Sequence, residues 1–407
     1  MSNWGWRLYH SIPTPVVTGG VHLSRFLRNL TLSFPIIRLS IENEELGKPL
    51  TMLVAGELPW AEHLPHLLFQ NTAQRALLET APLWRLPRAL RRWAPSADLS
   101  LLRVDRVSSR LLFGAQYLRV PELVDLLLEV PRDINALYSG NRNRNLKNDL
   151  RRVRRNKLTT QISHEESDLA IFYQRFHLPF VQQRFGKYAW PHNLPLLRGL
   201  FGHGGLIWAL QSGQRLAGCV YTQQDEELSL LAIGTVDGHD DVTELGVQVA
   251  LYHALVEQAQ RLGCISVNLG GSRPLLTDGN VRFKRKWGAR LSQREISNHL
   301  LLHWEHMDRS TAWALRGTAL VFLDGGRLSA VGALDCKGSA TSKAVSRAAR
   351  FLRTPGLHRL YLCSTTGFDP EVSVPDDTQL IDLMSGGAAA LPAALCLEPF
   401  AKVAAEG

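Results

Sequence analysis

Residues 204–271 carry the pattern that most limits what this chain can become. GGLIWAL (204–210), RLAGCVYTQQ (215–224) and ELSLLAIGTV (227–236) are three apolar runs of strand length. Hairpin turns at Gln211–Gly213 and Asp225–Glu226 separate them. Thr243 can cap a helix over 244–262 that Gly263 closes. Leu245, Val249, Tyr252, Val256 and Ala259 share one face of that helix, and Leu251, Leu255 and Leu262 widen it, so the helix is expected to be largely buried. CISVNLGG (264–271) then reads as a strand ending in glycines, followed by a short basic helix, VRFKRKWG (281–288). The order β-β-β-α-β-α fixes the class as α/β.

On either side the reading is coarser. Residues 34–41 and 50–55 read as strands, and 57–94 as short helices broken by Pro59, Pro65, Pro82 and Pro87. Residues 97–104 and 110–120 look strand-like, and ELVDLLLEV between Pro121 and Pro131 fits a short helix or a strand. Residues 167–186 read as a helix interrupted by Pro179. After about residue 305 the pattern restarts as ALVFLDG, RLSAVGALDC, a helix near 341–353 and HRLYLCS, with a Gly/Ala/Pro-rich tail from 386. Three parts are expected: 1–130, 131–305, and a smaller α/β module at 306–407.

Charge is concentrated rather than spread. Lys and Arg total 46 against 37 Asp and Glu, a net +9. The segment NRNRNLKNDLRRVRRNK (141–157) alone holds eight basic side chains and one acid, Asp149, so the rest of the chain is nearly neutral. Leu146, Leu150 and Val153 recur at i, i+4, i+7, a thin stripe by which a cationic helix can dock while its arginines face outward. Either the run is an ordinary solvated helix face, or its like charge, which repels itself, is screened by a phosphate-bearing ligand, tRNA, nucleotide sugar or anionic surface. Arg142, Arg144 and Lys147 lie nearest the helix start and are the expected ligand contacts.

The 45% hydrophobic content predicts a real core and excludes disorder as the dominant state. Five well-separated cysteines without a C-x-x-C speak against a disulfide scaffold or a cysteine zinc site. No charged leader with an apolar run begins the sequence, and no stretch of about 18 uninterrupted apolar residues exists, so a cytoplasmic protein is the expectation. G-x-S-x-G, Walker A and G-x-G-x-x-G are absent, leaving a serine hydrolase, P-loop NTPase or Rossmann oxidoreductase without support. His299, His303 and His306 have metal-like spacing, but they fall where a strand is expected and no H-E-x-x-H accompanies them; no metal is expected.

Three runs together resemble the acyltransferase domain of the GNAT superfamily, in its Fem-type and biotin-synthesis-associated branch. They are the arginine helix NRNRNLKNDLRRVRRNKL, the hairpin GGLIWALQSGQRLAGCVYTQQ, and ALYHALVEQAQRLGCISVNLGGSRPLLTDGNVRFKRKWGA. The resemblance spans residues 126–290. It implies a GNAT-type fold, with residues 1–130 as either a diverged first half of a paired fold or a separate α/β domain. The implied activity moves an acyl group from a thioester (acyl-CoA or acyl carrier protein) to an amine on a small-molecule or carrier-bound acceptor. Transfer from an aminoacyl-tRNA is the alternative, and a non-catalytic module binding nucleic acid or an anionic surface is the third. No tightly bound cofactor is implied.

Such chemistry needs an anion site for the donor, a base for the amine and donors for the oxyanion. The resemblance puts the donor phosphates at the N-terminus of the helix after the third strand, hence at Thr243, Leu245 and Gly246, with Arg285 nearby. Glycine-rich phosphate loops are usual there; this chain has only Gly246, beside the acid Glu244. Phe283 stands where many members place a tyrosine proton donor. Glu244 is the candidate base, Lys284 the cation for an anionic substrate or oxyanion, and Asp278 either a helix cap or a second base. Tyr221, Asn268, Ser272 and Arg273 are expected around the substrate, Asn268 because an amide on an apolar strand needs partners. His177 and Arg184, in FHLPFVQQRFG, resemble the acceptor-binding helix.

Overall fold

The computed structural model describes residues 14–42, 47–56, 74–138, 144–186, 191–239, 241–294, 297–304, 313, 319–334, 336 and 338–382. In chain order these give α1 (Thr14–Leu30), β1 (Ser33–Ile41), β2 (Leu50–Ala55), β3 (Gln74–Pro82), α2 (Leu86–Trp93), β4 (Leu99–Val104), α3 (Arg106–Leu111), β5 (Leu118–Pro121) and β6 (Val124–Glu129). Next come α4 (Arg144–Arg155), β7 (Leu158–Ser163), α5 (Glu166–Phe172), a π-turn at Tyr173–His177, α6 (Leu178–Phe185) and α7 (Leu194–Phe201). The central run is β8 (Gly204–Gln211), β9 (Gln214–Gln224), β10 (Glu227–Thr235), α8 (Asp241–Glu244), α9 (Val247–Arg261), β11 (Ser266–Ser272) and α10 (Gly279–Lys286). The last elements are β12 (Arg290–Gln293), β13 (His299–Trp304), β14 (Leu320–Asp324), β15 (Arg327–Ala333), α11 (Ser342–Leu352), β16 (Leu360–Ser364) and β17 (Thr378–Asp382).

The residues fall into two compact units, one of 125–271 and 282–290, the other of 14–124, 272–281 and 291–382. The first is built on a seven-stranded sheet in the order β12-β6-β11-β10-β9-β8-β7. Strands β7 to β10 run antiparallel through two tight hairpins, and β11 returns parallel to β10 through α9. Both hairpins use left-handed turn residues, Ser212 and Gly213 in one and Asp225 in the other. Strand β9 is buried on both faces. On one, Tyr221 accepts a hydrogen bond from Gln258 of α9 (3.1 Å). On the other, Gly218 lies so close to Phe172 and Trp208 that a Cβ would sit 3.0 Å from each. Phe172, Phe176, Leu197, Trp208 and Val220 form the core under α5 to α7.

The second unit holds a sheet in the order β3-β1-β2-β4-β13-β5. In both sheets a set of antiparallel strands is followed by one parallel pair, β2/β4 in this one and β10/β11 in the first; α9 joins β10 to β11, whereas β3 and α2 both lie between β2 and β4 in the chain. In each, the next place is taken by a strand from the other part of the chain. β13 lies between β4 and β5, and β6 lies between β11 and β12. Only two residues separate the end of β5 from the start of β6, yet β6 serves the other sheet. The chain is therefore a tandem of two α/β halves with reciprocally exchanged strands.

Strands β14 to β17 form a third sheet, three of them parallel. The sequence suggests a separate module here, but Phe322, Val331, Tyr361 and Ile381 share one buried core with Ile37, Met52, Leu101 and Leu302. The tail from 386 lies outside the described residues.

Local differences from the sequence reading have physical causes. Residues 74–82 form an edge strand rather than a Pro-broken helix, because pairing with β1 outweighs weak local preference. The strand expected over 110–120 is confined to Leu118–Pro121, and residues 110–111 instead close a short helix from Arg106, for which Asp105 accepts the Ser108 N–H (2.8 Å) as an N-cap. The long helix starts at Val247 rather than 244, because Gly246 adopts a left-handed φ of 94° and separates it from the single turn α8.

Candidate functional site

Strands β10 and β11 pair at Glu227/Ser266, Leu228/Val267 and Ser229/Asn268, and there the ladder ends although both strands run on. Two local devices part them. In β10 the register against β9 shifts between Leu230 and Ala232, so Leu231 is an extra residue that bends the strand. In β11 the Asn268 side chain accepts the Gly270 N–H (2.9 Å), taking an amide that a continuing ladder would use. Its other end donates to Glu227 Oε1 (3.4 Å). Gly270 is left-handed (φ 78°), and the Leu230 carbonyl lies 3.0 Å from where its Cβ would be.

Beyond that point Lys284 of α10 does what a partner strand would otherwise do. Its ammonium, 2% exposed, donates to the carbonyls of Gly270 (2.8 Å) and Gly271 (3.3 Å). A buried ammonium is tolerated only when its protons are used this way. Lys284 thus fixes the two glycine carbonyls at the end of β11 beyond its last paired residue. Arg285 follows it, its pKa below the ordinary arginine value because of burial and of Arg282 close by.

The second feature is the start of α9. Its first turn presents amides and the positive end of the helix dipole. Helix α4 packs over it by the docking stripe expected from sequence, with Leu146 and Leu150 buried. Arg152 donates to the Glu244 carbonyl (3.3 Å) and Asn156 to the Leu245 carbonyl (2.8 Å). Val153 lies 3.3 Å from where a Gly246 Cβ would sit. Asp149, the lone acid of the basic segment, is buried and pairs with Arg152 (2.6 Å) and with Lys286 of α10 (3.5 Å). Lys147, Arg151, Arg154, Arg155 and Lys157 remain exposed, a cationic face next to a helix N-terminus.

The other expected site residues lie as follows. Glu244 is exposed at the end of α8; Thr243 and Leu245 flank it, half-buried. Asp278 caps α10, accepting the amides of Asn280 (2.8 Å) and Val281 (3.3 Å). Ser272 is buried and bonded by Asn280, and Arg273 is half-buried beside it in sequence. Tyr221 is 1% exposed and turned toward Gln258 under α9, so it faces the helix rather than the parting of the strands. Arg184 is exposed, its guanidinium 5.8 Å from the Phe180 ring. Arg142 lies outside the described residues, and Arg144 is the first residue of α4.

His177 is buried at the close of the π-turn. Its Nδ1–H donates to the Ile233 carbonyl of β10 (3.0 Å), and its Nε2 accepts the His192 N–H (3.4 Å). The ring stacks with His192 (5.5 Å) and Phe172 (5.9 Å). Burial is the main cause that holds its pKa down at about 4; the Ile233 carbonyl opposes this and His192 adds to it. The π-turn precedes Pro179, whose nitrogen has no proton for an i−4 bond, and Gly234 lets the Phe176 backbone lie directly on β10.

The structure therefore joins Asn268 to Lys284 through Gly270, and Glu244, Leu245 and Gly246 to the basic helix. His177 lies in the π-turn packed on β10, and Tyr221 of β9 faces α9. Sequence reasoning missed Arg152 and Asn156 as the grip on the α8–α9 turn, and Glu227 as the partner of Asn268. The signal for Asp149 was visible: a single acid among eight cations is worth a buried pair.

No family model matches the chain, and no curated protein matches it. Among solved structures, FemX shares 11% identity over 74% of this chain and 96% of its own, with a TM-score of 0.36. L-PGS from Bacillus licheniformis shares 11% over 74% of this chain and 94% of its own, at 0.34. A GCN5-related N-acetyltransferase from Sphaerobacter thermophilus shares 12% over 62% and 71%, at 0.31. The unit of residues 125–271 and 282–290 is an α/β sheet in which four antiparallel strands lead through a helical crossover to a parallel fifth, and that parallel ladder ends early.

Proposed function

We propose that the protein transfers an acyl or aminoacyl group to an amine, with the reacting carbonyl lodged where β10 and β11 part. The observation that carries this reading is the early end of their ladder at Ser229/Asn268, together with the buried Lys284 ammonium at that opening. Backbone groups freed by the parting strands can bind an extended acyl chain, and a cation there favours the oxyanion of the tetrahedral intermediate. Lys284, fixed by two carbonyls, acts first as a positioning residue for β11. Glu244 and Asp278 remain candidates for the base, and Ser272, Arg273 and Asn268 for contacts to the acceptor. Thr243, Leu245, Gly246 and Arg285 remain candidates for holding the donor. No tightly bound cofactor is required by this chemistry.

The donor is proposed to be carried on a polyanion. Five exposed cations, Lys147, Arg151, Arg154, Arg155 and Lys157, lie on and just beyond the helix that covers the start of α9. That favours aminoacyl-tRNA; acyl-CoA and acyl carrier protein are the other sources of an activated carbonyl. Product mass spectrometry after incubation with charged tRNAs and a panel of acyl thioesters, with an amine acceptor panel, tests the reading. RNase-sensitive product assigns tRNA, and RNase-resistant product assigns a thioester. Wild-type turnover in both Lys284→Ala and Glu244→Gln would refute the site. No product with any donor, alongside salt-sensitive nucleic-acid binding, would leave a non-catalytic binding module instead.

A further inference from the structure

The second unit carries a face that is both apolar and cationic. Helix α1, the turn Leu83–Arg85 with α2, and α3 cover one side of its sheet. There Phe26, Leu30, Leu86, Leu90 and Leu112 pack on Phe34, Ile36 and Leu102. Helix α1 touches both the turn and α3, so these elements form one continuous layer. Large apolar side chains nevertheless stand on its outer side. Leu23 and Leu27, one helical turn apart on α1, Trp84 in the turn, and Leu111 at the end of α3 are each more than half exposed. Apolar groups gathered in this way on a folded surface mark a place of interaction.

The charge of this layer has one sign. Residues 14–30, 83–93 and 106–111 contain eight arginines and no Asp or Glu. Arg85 adjoins Trp84 and Arg110 adjoins Leu111 in the chain, both exposed, and Arg88 and Arg91 are exposed on α2. Neighbouring carboxylates are already engaged. Glu79 accepts from Arg92 and from Trp93 Nε1 (3.1 Å), and the buried Asp105 caps α3. Leucines interleaved with guanidiniums match the chemistry of an anionic lipid surface. The leucines gain by entering the acyl chains, a tryptophan suits the headgroup level, and arginines reach lipid phosphates while their stems lie on apolar surface. A nucleic acid would use the arginines and Trp84 but would give Leu23, Leu27 and Leu111 nothing to be buried in.

We infer that this layer of the second unit docks on an anionic phospholipid bilayer, with Leu23, Leu27, Trp84 and Leu111 entering the interface and the arginines meeting the headgroups. The chain lies on such a surface by side chains alone; among the described residues no helix is long and apolar enough to cross it. The docking uses none of the residues assigned to the proposed transfer reaction, and its readout is binding rather than turnover, so either can fail alone.

Co-sedimentation of the full chain with vesicles tests it, using equimolar phosphatidylglycerol and phosphatidylcholine against phosphatidylcholine alone. Saturable binding to the mixed vesicles is expected, with clearly weaker binding to the neutral ones and a decline as salt is raised. The double variant Leu23→Gln, Leu27→Gln should weaken mixed-vesicle binding about tenfold or more, the loss expected when two leucine side chains no longer leave water. Arg85→Gln and Arg88→Gln should each weaken it about fivefold, the usual weight of one arginine near an anionic surface. All four positions are exposed, so the variants keep the fold, and unchanged urea unfolding will verify this. Neutralising Lys147 and Arg151 of α4 should cost less than the leucine change. The inference fails if neither vesicle is bound, if neutral vesicles bind as well as mixed ones, or if the leucine variant binds like wild type, which would leave charge alone as the cause. A dimer that the leucine variant breaks, without vesicle binding, would overturn it in favour of a second copy of the chain.

Discussion

Acidification should loosen the 125–290 unit through His177, and the size of the effect follows from its surroundings. The imidazole is 4% exposed and its pKa is held at about 4, below the ordinary 6.5, because burial disfavours the cation. Above pH 6.5 it is neutral whether the chain is folded or unfolded, and its titration has no effect on stability. As pH falls below 6.5 the unfolded chain takes up a proton that the folded one refuses, so stability drops with pH until about 4. At pH 4.5, two units below the unfolded value, the loss is about 2.5 kcal/mol at 1.36 kcal/mol per unit. Urea unfolding of wild type and His177→Gln at pH 7.5 and 4.5 measures it. The variant should be the weaker protein at pH 7.5, having lost the Ile233 and His192 bonds, but should lose about 2.5 kcal/mol less on acidification. A stability gap that is equal at the two pH values would refute the reasoning.

Three further outcomes are expected. Gly234→Ala places a Cβ 2.5 Å from the Phe176 carbonyl group, which is backbone and cannot swing away, so it should cost about 1–3 kcal/mol in thermal or urea unfolding. Gly246→Ala combines a left-handed φ with the Val153 contact; it should cost a similar ~1–3 kcal/mol and raise amide exchange at the start of α9. Asp149→Asn removes the buried partner of Arg152 and Lys286, and should cost about 1–3 kcal/mol in urea unfolding while increasing the salt dependence of polyanion binding.

The legible part of the chain was the part whose structure is local. Strands β8 to β10 and their turns are written in short apolar runs with turn residues between, and the α4 stripe at Leu146, Leu150 and Val153 identified its buried side from spacing alone. The illegible part depends on distant partners. Residues 74–82 look like a poor helix and become a strand only because β1 offers an edge. Nothing in ELVDLLLEV tells that it will leave the sheet of β5 and lie beside β11. At the site, Asn268 was found because a polar amide on an apolar strand demands partners. Lys284 was marked for its charge, while its grip on two glycine carbonyls depends on where β11 ends. Tyr221 could not be placed on a face from sequence, because β9 is buried on both sides and its alternation carries no contrast.

The exchange of β6 and β13 has a consequence for how the chain is made. The sheet of the N-terminal half lacks its fifth strand until His299–Trp304 has left the ribosome, about 180 residues after Pro121. At synthesis rates of about 5–20 residues per second that is a wait of roughly 10–40 s. During it, the facing edges of β4 and β5 are open to chaperones or to stray strands. Cutting the gene near codon 130 would strand an unpaired ribbon in one fragment and a missing rung in the other, so only the uncut polypeptide, or both pieces made together, should yield soluble material.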